Sequence, residues 1–309
     1  MSVLVTGASG FIGGAVARHL AAQGRTVRRA GRAPLRPGID VALPPADAAD
    51  AAFDALMAGV DDVVHCAGLA DARGRTEAEL HAANARLAER LAAAAARGAG
   101  GRFVLVSSIR AVAGAGFSGT IDAATAPQPA GAYGRSKLAG ERAATAAYAA
   151  RPGDLSVLRL PAVYGPGMGG FLGRLLALSE TPLPLPLAGL AGRRPLVDVA
   201  AVAGAVACLL DAAVAPQPVH VASDQTALTP GEIVAAFRRG RGRSARLFAL
   251  PGRLVGAAAA VTGRRALWQA LQADQSCDAR PLALLGWHPV ADSRPRLAAL
   301  AAAHARQLG

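Results

Sequence analysis

The first two-thirds of the chain alternate short apolar runs with longer, alanine-rich stretches whose apolar positions recur three and four residues apart. The short runs lie at 3–5, 26–29, 62–65, 102–107, 155–160 and 219–222, with a weaker one at 39–42. The longer stretches lie at 13–23, 47–57, 77–96, 132–150 and 199–212. Short, largely continuous apolar segments separated by helical ones predict strands of a parallel sheet with helices on both faces. The expected fold is therefore α/β, a doubly wound parallel sheet. After Pro161 the pattern changes. The stretch 165–195 is rich in Gly and Pro, including Thr181-Pro182-Leu183-Pro184-Leu185-Pro186, and cannot be regular sheet core. From 229 onward the pattern is helical with loops. The expected organisation is a sheet domain over 1–165, to which 196–224 returns. A smaller, mostly helical lobe covers 166–309, built mainly from 166–195 and 225–309.

Composition narrows the function classes. Hydrophobic residues make up 52% of the 309 residues but aromatics only 4%, so the core is one of Ala, Leu and Val. The net charge of +12 invites a nucleic-acid reading. Against it, the arginines are spread along the chain, and the one dense stretch, Arg238-Arg239-Gly240-Arg241-Gly242-Arg243, has no interleaved aromatics for base stacking. A positive surface suits an anionic small substrate better. The apolar run 254–262 is too short to span a bilayer and is stopped by Gly263-Arg264-Arg265, so no membrane partner is expected. Met1-Ser2-Val3-Leu4-Val5 runs into a glycine turn without a basic leader, and the expected location is cytoplasmic. Cys66, Cys208 and Cys277 are scattered and odd in number, which argues against a disulfide framework or a metal site.

Chemistry first enters after the first strand, at Thr6-Gly7-Ala8-Ser9-Gly10-Phe11-Ile12-Gly13. A Gly-x-x-Gly-x-x-Gly turn between a strand and a helix suits a dinucleotide pyrophosphate held over a helix N-terminus. Gly7 permits the tight turn, Gly10 lets backbone approach phosphate, and Gly13 lets helix pack on strand. Ser9, Phe11 and Ile12 complete the candidate cofactor contact. Cofactor choice is read at the end of the second strand, where an acid would bond the ribose of NAD. Here the run is Val27-Arg28-Arg29-Ala30-Gly31-Arg32, with Gly31 where an acid is expected. Guanidinium suits a 2′-phosphate. NADP is favoured, with Arg32 leading, Arg29 second and NAD the alternative; an Arg-rich chain would also carry such arginines for no reason beyond its composition.

The strand at 102–107 ends in Ser107-Ser108, at the edge where such sheets bind ligands. Tyr133-Gly134-Arg135-Ser136-Lys137 comes next, and Lys137 is the single lysine among 33 basic residues. A Tyr and a Lys at i, i+4 share one helix face. An ammonium beside the phenol would lower its pKa toward neutral and suit it to proton transfer.

These residues, together with His65-Cys66-Ala67-Gly68, Asn84, the run Leu158-Arg159-Leu160-Pro161-Ala162-Val163-Tyr164-Gly165-Pro166-Gly167 and Leu284-Leu285-Gly286-Trp287-His288-Pro289, make the chain resemble an extended short-chain dehydrogenase/reductase of the nucleotide-sugar epimerase/dehydratase type. The resemblance covers essentially the whole chain and implies a Rossmann domain. It implies Tyr133 as acid/base, Lys137 on the nicotinamide ribose, and Ser108 on the reacting oxygen, with Ser107 as the alternative one residue back. Ala67 and Gly68 would lie by the cofactor and Pro161 and Val163 along the nicotinamide. Asn84 reads as structural or water-organising, and His65 as a sheet-end residue rather than a base. Arg194, in Arg193-Arg194-Pro195-Leu196-Val197-Asp198-Val199, matches the family arginine that grips a nucleotide diphosphate. Arg280 is a second, weaker substrate candidate.

Two departures stand out. Ala200 and Ala201 occupy the positions where the family commonly has an acid, and Gly31-Arg32 replaces the NAD-type acid. The second favours a dissociating NADPH and hence a reductase. Gly170-Phe171-Leu172-Gly173-Arg174-Leu175-Leu176 and the stretch 183–192 also resemble bacterial reductases of 4-keto nucleotide sugars. The leading expectation is thus NAD(P)-dependent reduction of a 4-keto UDP-sugar. The alternatives are UDP-sugar 4-epimerisation with retained NAD, reduction of a small hydrophobic ketone or aldehyde, and a non-catalytic dinucleotide sensor. The resemblance also implies a homodimer through the helices at 77–96 and 132–150.

Overall fold

The strands are β1 (Ser2–Thr6), β2 (Thr26–Gly31), β3 (Val41–Ala42), β4 (Asp62–His65), β5 (Phe103–Ser108), β6 (Gly119–Ile121), β7 (Leu155–Leu160), β8 (Ala162–Tyr164), β9 (Leu196–Asp198), β10 (Val219–Val221) and β11 (Gln275–Cys277). In this computed structural model, which describes residues 1–32, 35, 37–212 and 218–308, seven of them form one parallel sheet in the order β3-β2-β1-β4-β5-β7-β10. The chain winds outward from β1 to β3, then restarts at β4 on the other side. This is the doubly wound arrangement that the alternating pattern predicts.

Successive side chains of a strand point to opposite faces, and β1 shows what that does. Val3 and Val5 enter a core with Val16 and Leu20 of α1 (Phe11–Ala22) and Val202 and Val206 of α7 (Val199–Asp211). Leu4, between them, enters the opposite core with Phe53 of α2 (Asp50–Met57), Leu91 of α4 (Leu87–Gly98) and Phe103. Each such fully buried Val, Leu or Phe stabilises the fold by roughly 1.5–3 kcal/mol. α5 (Gly131–Ala147) packs beside α4 on that second face.

The helix expected over 77–96 is interrupted. α3 (Glu77–His81) starts with a capping box between Thr76 and Glu79, and a single π-helical turn, Ala82–Arg86, separates it from α4. The turn carries Asn84, whose carbonyl would lie 2.3 Å from a Cβ on Gly140 of α5. Glycine at 140 therefore lets α5 press directly onto the widened turn.

In the segment expected to form the lobe, a further core gathers Leu172 and Leu175 of α6 (Gly170–Glu180), Ile233, Val234 and Phe237 of α8 (Pro230–Gly240), and Leu297 of α12 (Ser293–Leu308), while Leu282 and Trp287 join the sheet-side core. In the proline-rich stretch after α6, Leu185 bridges Leu247, and Arg238 satisfies carbonyls that this bridge leaves open. Its buried guanidinium donates to the carbonyls of Thr181, Leu183 and Ala245. One arginine of the dense basic stretch thus belongs to the interior. The remaining lobe helices are α9 (Gly252–Val261), α10 (Arg265–Gln272) and α11 (Arg280–Ala283). β8 pairs with β9, and β6, from the connection between β5 and α5, pairs with β11 of the lobe. Where the family acid is missing, Asp198 caps α7 through Ala200 N–H, and Trp287 donates its indole N–H to the Ala201 carbonyl. Residues 213–217 of the returning segment and residue 309 of the lobe lie outside the described residues.

Candidate active site

β1 and β4 are neighbours whose connections diverge, so a crevice opens at their carboxyl ends. Thr6 Oγ1 and His65 Nδ1 bridge the two strands at 2.7 Å. Burial, with a smaller contribution from the Lys137 charge, lowers His65 to about 3 and keeps it neutral, as fits a sheet-end residue rather than a base.

The glycine turn is shaped by contacts that no side chain could share. Gly7 has φ +68°, and a Cβ there would come within 2.7 Å of Ala67 N. A Cβ on Gly13 would lie 2.3 Å from the Gly7 carbonyl. Gly10 is the N-cap of α1 and offers no side chain to its first turn, which also holds no acid. The N–H groups at that helix end, with Ser9, Phe11 and Ile12 around them, are left for an external anion. The residues fit a dinucleotide pyrophosphate.

Gly68, with φ +155°, closes the same crevice; a Cβ there would lie 2.5 Å from Asn84 Oδ1. Asn84 Oδ1 accepts from Leu69 N–H at 2.8 Å, and its Nδ2 donates to Leu69 O at 3.1 Å and Ser136 Oγ at 3.0 Å. Asn84 thereby ties the loop after β4 to α5 beside Lys137, a structural role.

At the far end of the crevice Arg29 has a partner within the chain. The chain returns along β2 so that Asp40 lies on Arg29, accepting its backbone N–H at 2.8 Å and its guanidinium at 2.9 Å. A carboxylate is present after all, eleven residues on, and it neutralises Arg29. Arg32 is exposed just past β2.

The serines at the end of β5 point to opposite sides, as strand geometry requires. Ser107 Oγ donates to Glu141, which is ion-paired with Arg159 inside the core. Ser108 Oγ accepts the backbone N–H of Arg110, and its side chain stands near enough to the Tyr133 phenol to favour the ionised form. Ser108, not Ser107, therefore faces Tyr133.

Lys137 Nζ lies 3.5 Å from the Val106 carbonyl. Burial lowers its pKa, opposed by Cys66 and Glu141. The expected depression of the Tyr133 pKa is not found. Burial raises the phenol above its ordinary value, and what pulls it back is the nearby Ser108 hydroxyl and then the charge of Arg110. Desolvation outweighs both.

Val163 lies on β8, held in register against Val197, and Pro161 precedes it, buried, at the end of β7. Arg194 is half-buried and bonds the carbonyls of Arg193 and Ala273. Arg280 is 88% exposed, ion-paired to Asp278, and borders a cavity of about 650 Å³ with Trp287 and His288.

A family model described as the NAD dependent epimerase/dehydratase family matches residues 3–222. The chain belongs to that family. Its members are NAD(P)-dependent enzymes of the short-chain dehydrogenase/reductase type, and the match runs from β1 through the glycine turn and Tyr133 to the end of β10. A ceramide reductase of Caulobacter vibrioides is 36% identical over 202 residues, which cover 64% of this chain and 57% of that protein. The chain thus spans little more than half of that relative's length. Among solved structures, MoeE5 in complex with UDP-glucuronic acid and NAD superposes with a TM-score of 0.78 at 23% identity, covering 99% of this chain and all of that one. UDP-N-acetylglucosamine 4-epimerase from Bacillus cereus gives 0.77 at 19% identity with both chains fully covered. At these identities the two structures speak for the epimerase/dehydratase fold. No helix among the described residues is long and apolar enough to cross a membrane.

Four residues of this site carry no signal that the motifs above use: Asp40, Arg110, Glu141 and Gln275. Arg110 had a usable one, since it lies two residues after Ser108 at the ligand-binding edge of the sheet. Glu141 lies on α5 one turn after Lys137, while Asp40 and Gln275 arrive through tertiary packing from elements with no motif of their own.

Proposed function

We propose that this protein is an NAD(P)-dependent reductase that delivers hydride to a ketone held between Ser108 and Tyr133, the favoured substrate being a 4-keto nucleotide sugar of the UDP type. One observation carries this reading: beside Ser108 and Tyr133 stand the guanidinium groups of Arg110 and Arg194, bonded only to neutral oxygens, a setting for an anionic substrate. A bound dinucleotide would supply the hydride, its pyrophosphate lying on the turn of Gly7, Gly10 and Gly13 and its ribose on Lys137. Ser108, whose oxygen already accepts from Arg110 N–H, turns its proton toward the substrate oxygen. Tyr133 gives its phenolic proton to that oxygen as charge develops there. A phenol with a raised pKa holds that proton through the neutral range, as a general acid must.

NADP is the proposed cofactor with Arg32 as its phosphate reader, and NAD, bound in the complexes of MoeE5, is the alternative. NAD retained through a 4-epimerisation cycle would fit the UDP-sugar epimerases of like fold. A second reading, reduction of a ketone on a ceramide-like lipid, is favoured by the 36% identity to ceramide reductase. The proposed assembly is a homodimer through α4 and α5. Comparing NADPH oxidation on a UDP-4-keto-6-deoxy sugar with that on a 3-oxo-ceramide separates the readings. Turnover of the sugar alone supports the first, turnover of the lipid alone the second, and turnover of neither overturns both.

A further inference from the structure

Two arginines enter the site from opposite parts of the fold and end on one short segment. Arg110 leaves β5 two residues after Ser108. Its carbonyl would lie 2.4 Å from a Cβ on Gly134, so the residue after Tyr133 packs directly against it. Its guanidinium bonds Ala113 O at 3.3 Å and Gln275 Oε1 at 3.2 Å. Gln275 is buried, and its Nε2 donates to the carbonyls of Gly114, Ala115 and Phe117. With its donors spent on that loop, the amide can present only its oxygen to Arg110, which fixes the guanidinium in place. Arg194 comes from the strand side before β9 and bonds Ala273 O, two residues from Gln275.

Every one of these acceptors is neutral. The adjacent acid, Asp274, accepts the backbone N–H of Arg193 at 3.1 Å. Among the described residues neither Arg110 nor Arg194 lies in an ion pair, although thirteen other arginines do, Arg29, Arg159 and Arg241 among them. Burial and, for Arg110, the nearby Arg194 charge lower both pKa values. Two partly desolvated like charges with no direct ion pair, only Asp274 nearby to support Arg194, are unfavourable in the free protein and become favourable once an anion sits between them.

We propose that Arg110 and Arg194 close on one phosphate-class group of the substrate, with Arg110 setting how the substrate faces the Tyr133 phenol. The family pattern accounts for Arg194 alone; Arg110 and the Gln275 amide that aims it make a two-sided clamp. The inference rests on the reading of Tyr133 as the acid and narrows the substrate to one carrying phosphate near its ketone.

The test uses the full chain saturated with NADP⁺, so that the cradle on α1 is filled, titrated calorimetrically with UDP and with inorganic pyrophosphate. Wild-type protein is expected to bind both. Arg110→Gln should weaken binding by about 10- to 100-fold, the loss of a charge-assisted contact, while NADP⁺ affinity is kept; Arg110→Lys should lose less. Binding of UDP and pyrophosphate by Arg110→Gln within about twofold of wild type would overturn the clamp, as would wild-type protein that binds neither. Tyr133→Phe is the separate control. If it still turns over, the acid assignment fails while the binding result stands.

Discussion

Glu141 and Arg159 form an ion pair inside the molecule, Oε2 to Nη2 at 2.8 Å with both side chains 6% exposed. Ser107 donates into the same carboxylate, which stands one helical turn after Lys137 and supports its positive charge. The pair therefore anchors α5 to β5 and β7 directly beneath the Tyr133–Lys137 face.

Removing one member leaves the other charge buried and unpaired, at a cost of about 3–5 kcal/mol. Glu141→Gln should lower the unfolding free energy in urea by that amount, and Glu141→Gln with Arg159→Met should recover part of it. Unchanged stability of the single variant would show that water, not Glu141, compensates Arg159.

His65 sets an acid-side limit on stability. Its pKa is about 3 in the folded protein against an ordinary 6.5, so between those values the unfolded chain binds a proton that the folded chain refuses. Its contribution is complete above pH 6.5 and is lost as pH falls toward 3. Going from pH 7 to pH 5, the wild type should lose roughly 1–2 kcal/mol more than His65→Asn, measured by urea unfolding. Parallel losses would mean that His65 protonates without unfolding.

Gly13→Ala places a methyl carbon against the Gly7 carbonyl, a backbone contact that cannot rotate away. Dinucleotide affinity should fall by at least about tenfold in a fluorescence titration. Gly24→Ala changes a left-handed turn residue with open space around it, outside the cradle, and should leave affinity unchanged.

Arg29 and Arg32 should behave differently. Asp40 occupies Arg29, so Arg29→Ala should alter neither NADPH nor NADH binding by more than about twofold. Arg32→Ala should weaken NADPH about tenfold and leave NADH alone. Equal loss for both cofactors would remove Arg32 as the phosphate reader.

The sheet was legible because its signals are local. Val3, Leu4 and Val5 announce a strand buried on both faces, and the spacing of Gly7, Gly10 and Gly13 announces the phosphate-binding turn at its end. The pairing of Tyr133 with Lys137 is equally local, being one turn of helix. Contacts made across the fold were not legible. Asp40 reaches Arg29 only because β3 pairs with β2, and Gln275 reaches Arg110 only because β11 pairs with β6. Which serine faces Tyr133 depends on the β5 pleat. The sign of the Tyr133 shift depends on how deeply the phenol is buried, a quantity with no counterpart in residue spacing.

The most direct test of Tyr133 as the acid is NADPH oxidation in a single turnover with the UDP-4-keto-6-deoxy sugar, wild type against Tyr133→Phe. The phenyl ring keeps the packing and lacks the proton. NADPH affinity should be unchanged and hydride transfer slowed by about 100- to 10,000-fold. Transfer at the wild-type rate in Tyr133→Phe would contradict that role and move the acid to another group.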